Sequence, residues 1–175
     1  AFLIVSCSSN ITKNPVDEFI REYESEKTFI VLLWDMDISG SFSKNYTHQY
    51  KIILEKDGFP EESLSEWFEV SKEYFGKNEN NVGMELVSKD ESGKITKTPS
   101  PPGYSNYVGN EKYGRWSNDR SGNSFWEFYG KYALISSMFN LYNSPIYRNN
   151  YYDYRDNYHG KRAYYGKSSN GRSTY

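Results

Sequence analysis

Any fold for this chain must first house Thr28-Phe29-Ile30-Val31-Leu32-Leu33-Trp34, a β-branched and apolar run with no polar residue between Phe29 and Trp34. A strand with one wet face alternates polar and apolar residues, and this run does not. It therefore predicts a buried central strand reaching to Ile38. Ser39-Gly40-Ser41 breaks it. A buried strand needs neighbours, and the next segment supplies one. Tyr46, His48, Tyr50, Ile52 and Leu54 alternate with Thr47, Gln49, Lys51 and Ile53, which predicts a half-buried antiparallel strand ending at Asp57-Gly58.

Trp67 to Val70 is a short strand candidate, and Ser71 to Phe75 starts a brief helix. Met84–Ser88 and Lys94–Thr98 flank Asp90-Glu91-Ser92-Gly93, a hairpin signal. Upstream, Asn14 is a capping residue and Pro15 suits a first helical position. Val16, Phe19, Ile20 and Tyr23 then fall on one face, predicting a helix over 15–26. The element order argues for an α+β domain over 14–98 with a small antiparallel sheet and an N-terminal helix.

Pro99-Ser100-Pro101-Pro102-Gly103 is stiff, and 99–123 is expected to be a Pro/Gly/aromatic connector. Ser124 with Glu127 makes a capping-box signature. Phe125, Phe128, Tyr129, Tyr132, Ile135, Phe139 and Tyr142 recur at helical spacing, so an apolar C-terminal helix is expected over 124–142. Residues 143–175 hold Tyr, Arg, Asn, Gly, Ser and Lys with almost no aliphatics, and are expected to be a disordered tail.

Charge follows the same division. Residues 11–99 carry 11 basic against 18 acidic side chains, whereas 146–175 carry 6 against 2. An acidic body with a basic, tyrosine-rich tail points to a polyanionic partner. Tyr151, Tyr152, Tyr154, Arg155, Arg162, Tyr164 and Tyr165 are the expected contact residues, because guanidinium and phenol offer cation–π contacts, hydrogen bonds and stacking faces. The same chemistry suits single-stranded nucleic acid. A solvated tail without a partner is the plain alternative.

The lone cysteine, Cys7, excludes an intrachain disulfide. Ile4-Val5-Ser6-Cys7 resembles the bacterial lipobox, in which cleavage before the cysteine precedes acylation of its thiol. The resemblance implies that 1–7 is the end of a signal peptide carrying the lipobox, 8–13 a tether, and the protein extracytoplasmic and held to the membrane by lipid on Cys7. That location makes nucleic acid an unexpected partner. A short buried strand with a core thiol is the alternative. Gly103-Tyr104 through Trp116, followed by Ser124-Phe125-Trp126-Glu127-Phe128-Tyr129-Gly130, resembles a block in uncharacterised bacterial envelope proteins, which implies no activity.

Catalytic signals are sparse. Asp35 and Asp37 would share a strand face about 7 Å apart, suited to a hard cation or an acid/base pair, with His48 a third candidate. Two histidines and one cysteine give no set for a structural zinc site, and no cofactor motif occurs. The expected function is therefore a non-enzymatic interaction or structural module of the envelope, its tail on an envelope polymer or partner protein. A small metal-dependent or acid/base hydrolase using Asp35 and Asp37 is the alternative.

Overall fold

The computed structural model describes residues 14–138 and 145–166. Helix α1 spans Pro15–Glu22. The chain then forms β1 (Phe29–Ser39), β2 (Asn45–Lys56), β3 (Phe59–Leu64) and β4 (Phe68–Val70). Helix α2 (Lys72–Asn78) leads to β5 (Glu85–Lys89) and β6 (Ile95–Thr96). A two-stranded hairpin follows, β7 (Gly114–Asn118) and β8 (Ser124–Phe128), then short α3 (Ala133–Met138) and α4 (Arg148–Asn157). The protein is α+β, with every strand pairing antiparallel.

The main sheet runs β3-β2-β1-β5-β6, with β4 pairing the far end of β2. β1 is central, as its composition requires, and Phe29 through Leu33 are buried. Phe29, Val31 and Leu33 pack with Val16 and Phe19 of α1 and with Tyr50 and Ile52 of β2. Ile30 and Leu32 face the other way, against Ile53, Tyr107, Tyr113, Tyr132 and Ile135. The sheet is thus covered on both faces at this end.

Helix α1 stops at Glu22, earlier than the predicted 26. Asn14 makes no side-chain cap, and its amide donates instead to Asp17 across 2.6 Å. Strand β3 escaped the sequence reading because Pro60-Glu61-Glu62 is polar, which suits an exposed edge.

The larger departures lie downstream of Pro99. The 124–142 segment is not one helix: Ser124–Phe128 is a strand paired to Gly114–Asn118, and among the described residues helix begins with a 3-10 turn at Gly130–Tyr132 that leads into Ala133–Met138. Residues apolar on every side carry no usable period, and the partner strand settles the conformation. The segment taken as a connector builds this hairpin. Within the expected tail, 143–144 and 167–175 lie outside the described residues, and the described residues 145–166 are ordered: Arg148–Asn157 is helical, and Tyr154 and Tyr164 are buried. Their rings join Tyr104, Val108, Trp126 and Ile146 in a third cluster, so aromatic area replaces the missing aliphatics. We call residues 100–166 the aromatic lobe.

Candidate interaction surface

Asp35, Asp37 and His48 do not converge. The register of β1 on β2 shifts between Leu33 and Asp35, leaving Trp34 as an extra residue. Beyond it Met36 pairs His48, while Asp35 pairs Gln49 and Asp37 pairs Thr47. Directly paired residues share a face, so His48 lies on the face opposite the two carboxylates. Asp35 and Asp37 are exposed. His48 is fully buried against Tyr74 and Phe75, its Nδ1 3.0 Å from the Tyr50 hydroxyl. Burial pushes its imidazole down to about 4, so it is neutral at pH 7. Asp35 and Asp37 thus share one exposed face, and His48 is not placed to act with them. Among the described residues no three His, Cys, Asp or Glu side chains gather to hold a metal, and no helix is long and apolar enough to cross a membrane. Cys7 lies outside the described residues.

The seven tail residues singled out for contact separate into two groups. Tyr154 and Tyr164 are core residues and cannot meet a partner, because rings from Tyr104 and Tyr158 enclose them. Tyr151 packs edge-on to Tyr104 and near Trp116. Gly109 permits this packing: at φ +77° it adopts a backbone that favours glycine, and a Cβ there would lie 2.5 Å from the Tyr151 ring. Tyr165 donates its hydroxyl to Asn81 Oδ1 at 2.9 Å.

Tyr152, Arg155 and Arg162 reach the surface. Helix α4 sets Arg148, Tyr152 and Arg155 on adjoining turns, at i, i+4 and i+7. The Arg148 guanidinium stands 5.3 Å from the Tyr152 ring centre and 5.7 Å from that of Trp116 on β7. The Arg155 guanidinium stands 4.6 Å from Tyr152 on the same ladder. Arg148 Nε donates to the Tyr152 hydroxyl at 3.1 Å, and Arg155 also pairs with Asp156 at 3.0 Å. Arg162 sits separately, 4.2 Å over Tyr158. Beside the ladder lies a groove of about 640 Å³ whose lining includes Asn123, Ser124, Tyr147, Arg148, Asn149 and Asn150. Amides and a hydroxyl bind neutral polar groups, and guanidinium binds carboxylate or phosphate.

The sequence reading missed Trp116 as a ladder member, since its place depends on the β7–β8 pairing. It also missed Glu85, a carboxylate buried in β5 among Met84, Leu86 and Val87. An acidic residue between Met84 and the apolar pair Leu86-Val87 was the available signal.

No family model matches the chain, and neither a curated protein nor a solved structure matches it.

Proposed function

We propose that this protein is a non-enzymatic lipoprotein of the bacterial envelope, whose aromatic lobe binds an anionic envelope polymer along the Arg148–Tyr152–Arg155 ladder. The observation that carries the reading is the ladder itself: two exposed guanidinia arranged on the half-buried rings of Tyr152, on a helix anchored by buried Tyr154, and of Trp116 on β7. Such an array presents charge and stacking faces together, with little conformational freedom to lose on binding. The amide-lined groove alongside offers hydrogen bonds to sugar hydroxyls.

Anchoring rests on the lipobox-like Ile4-Val5-Ser6-Cys7. The Cys7 sulfur would form a thioether to the glycerol carbon of a membrane glycerophospholipid, its phosphate headgroup leaving with the thiol proton. Two acyl chains then hold the protein at the bilayer.

Retention on isolated cell wall tests the polymer contact. Arg148→Ala/Arg155→Ala is expected to lower retention, and the wild-type protein to release as salt rises. Equal retention of the two proteins refutes the ladder. Mass spectrometry of the native N-terminus tests the anchor: a diacylglyceryl adduct on Cys7 is expected, and a free thiol in a soluble protein refutes it.

A further inference from the structure

Glu85 sits where the aromatic lobe meets the sheet. Its backbone N–H donates to Ser100 at 2.9 Å and its carbonyl accepts from Ser100 at 3.1 Å. That exchange ties β5 to the start of the lobe. The side chain reaches the following turn, where Oε2 accepts from the Gly103 N–H at 3.2 Å and Oε1 from the Ser105 hydroxyl. The Ser88 and Ser100 hydroxyls also favour its ionised form. Both carboxylate oxygens are therefore held by the lobe, while the residue itself is only 1% exposed.

Its surroundings supply donors but no cation. The titratable groups that face it are Tyr107, within the turn that follows, and Tyr154, on α4. His159 stacks on Tyr154, ring centres 5.4 Å apart. Lys89, on the same strand, turns away to the carbonyls of Glu24 and Glu26, at 2.6 and 2.9 Å. Among the described residues no lysine or arginine forms an ion pair with Glu85. A buried carboxylate without a counter-ion is costly, and a neutral, hydrogen-bonded carboxyl in the same place costs far less.

We propose that Glu85 is a proton-operated latch: protonated, it fastens the aromatic lobe and its α4 ladder to the sheet, and on ionisation it loosens them. Burial outweighs the hydrogen bonds and pushes the carboxyl up to about 7. An unfolded glutamate titrates near 4.5. Folding thus takes up a proton between these values. The stabilisation is complete below 4.5, declines as pH rises through 7, and stays at its lower level above that. Apart from Ser88 on β5 itself, the groups that hold the carboxyl belong to the lobe, so the loosening acts there. The consequence for polymer binding rests on the function proposed above; the latch does not.

Amide hydrogen exchange of the whole chain, corrected for intrinsic rates, tests the latch. Between pH 5 and pH 8 the opening equilibrium of α4 amides is expected to rise by about 10-fold or more, against a smaller change in β2. Glu85→Gln removes the titration and should flatten the α4 response. No pH dependence in wild-type α4, or the same slope in the variant, overturns the proposal. Should Glu85→Gln fail to fold, difference infrared spectroscopy of the wild type decides: a protonated carboxyl band titrating above pH 6 supports the latch, and its absence overturns it. The two readings fail separately. If wall retention ignores the ladder while α4 still responds to pH, the function falls and the latch stands. If α4 is indifferent to pH while retention still needs the ladder, only the latch falls.

Discussion

From Phe29 to Leu33 the sheet buries five side chains in succession, none with a polar atom. From Tyr104 to Tyr164 the lobe buries Tyr104, Tyr107, Tyr113, Trp126, Tyr132, Tyr154 and Tyr164, all ending in a hydroxyl or an indole N–H. The first region is packed by β-branched residues on a ladder of strand pairs. The second is packed by rings meeting mostly edge to face, such as Tyr107 on Tyr113 at 4.7 Å and Tyr113 on Tyr132 at 4.9 Å. The lobe is also fixed to the sheet by polar contacts. Tyr113 donates to Glu55 at 2.8 Å, Tyr132 to the Gly58 carbonyl at 3.3 Å, and the Asn106 amide to the Lys89 carbonyl at 2.8 Å. An aromatic core with polar tips thus rests on an aliphatic one, with Tyr113 and Tyr132 partnered at the boundary while, among the described residues, the buried Trp126 indole N–H and Tyr154 hydroxyl find no hydrogen-bond partner.

If the contrast is real, the two regions should respond separately to damage. Trp126→Ala removes a ring from the centre of the lobe and is expected to cost about 3–5 kcal/mol. Urea unfolding combined with hydrogen exchange should show lobe amides exposed while β1 and β2 stay protected. Simultaneous loss in both would make them one cooperative unit. Leu33→Ala in the sheet should cost about 2–5 kcal/mol and lower protection in both regions, because the lobe packs on Ile30 and Leu32 of the same strand. Gly109→Ala is expected to cost about 1–3 kcal/mol, from the positive φ and the displaced Tyr151 ring. Its near-ultraviolet circular dichroism should change while far-ultraviolet strand content does not.

The pH dependences separate the regions further. His48, depressed to about 4 in the folded chain, stabilises the sheet fully above its ordinary 6.5 and loses that contribution as pH falls toward 4. Glu85 acts with the opposite sign. Urea midpoints measured across pH 4–8 should lose their acid-side fall in His48→Gln, and an unchanged acid limb would show that another group controls it. The smallest stability effect belongs to Arg148→Ala/Arg155→Ala, whose side chains lie on the surface. Its thermal midpoint should match wild type even where wall retention drops, and a large fall would show that the ladder braces the fold.

How far the residues announced this arrangement depended on the type of packing. Phe29–Leu33, the alternation through Tyr46–Leu54 and the turn at Asp90–Gly93 identify their elements locally, and β1, β2 and the β5–β6 hairpin form there. Val16, Phe19, Ile20 and Tyr23 likewise mark the face by which α1 docks. Ser124 and Glu127 carried a helix-start signal, yet Ser124–Phe128 pairs with Gly114–Asn118, and a close approach at Gly114 by Trp126 and the Glu127 carbonyl leaves no room for a Cβ. For the candidate surface, the residues gave equal standing to Arg155 and Arg162, which are exposed, to Tyr152, which is half-buried, and to Tyr154 and Tyr164, which are core.

The chain's own pattern therefore established the antiparallel sheet, its central strand, the helix that covers one face and the basic, aromatic character of the C-terminal region. Period and turn chemistry act between neighbours in sequence, so they can be read there. Which tyrosines are buried, which form the ladder with Trp116, and that Glu85 is enclosed by Gly103 and Ser105 all came from contacts between distant segments. Tyrosine is amphipathic and serves equally well as core, hinge or surface. Only the position of the opposing chain removes that choice.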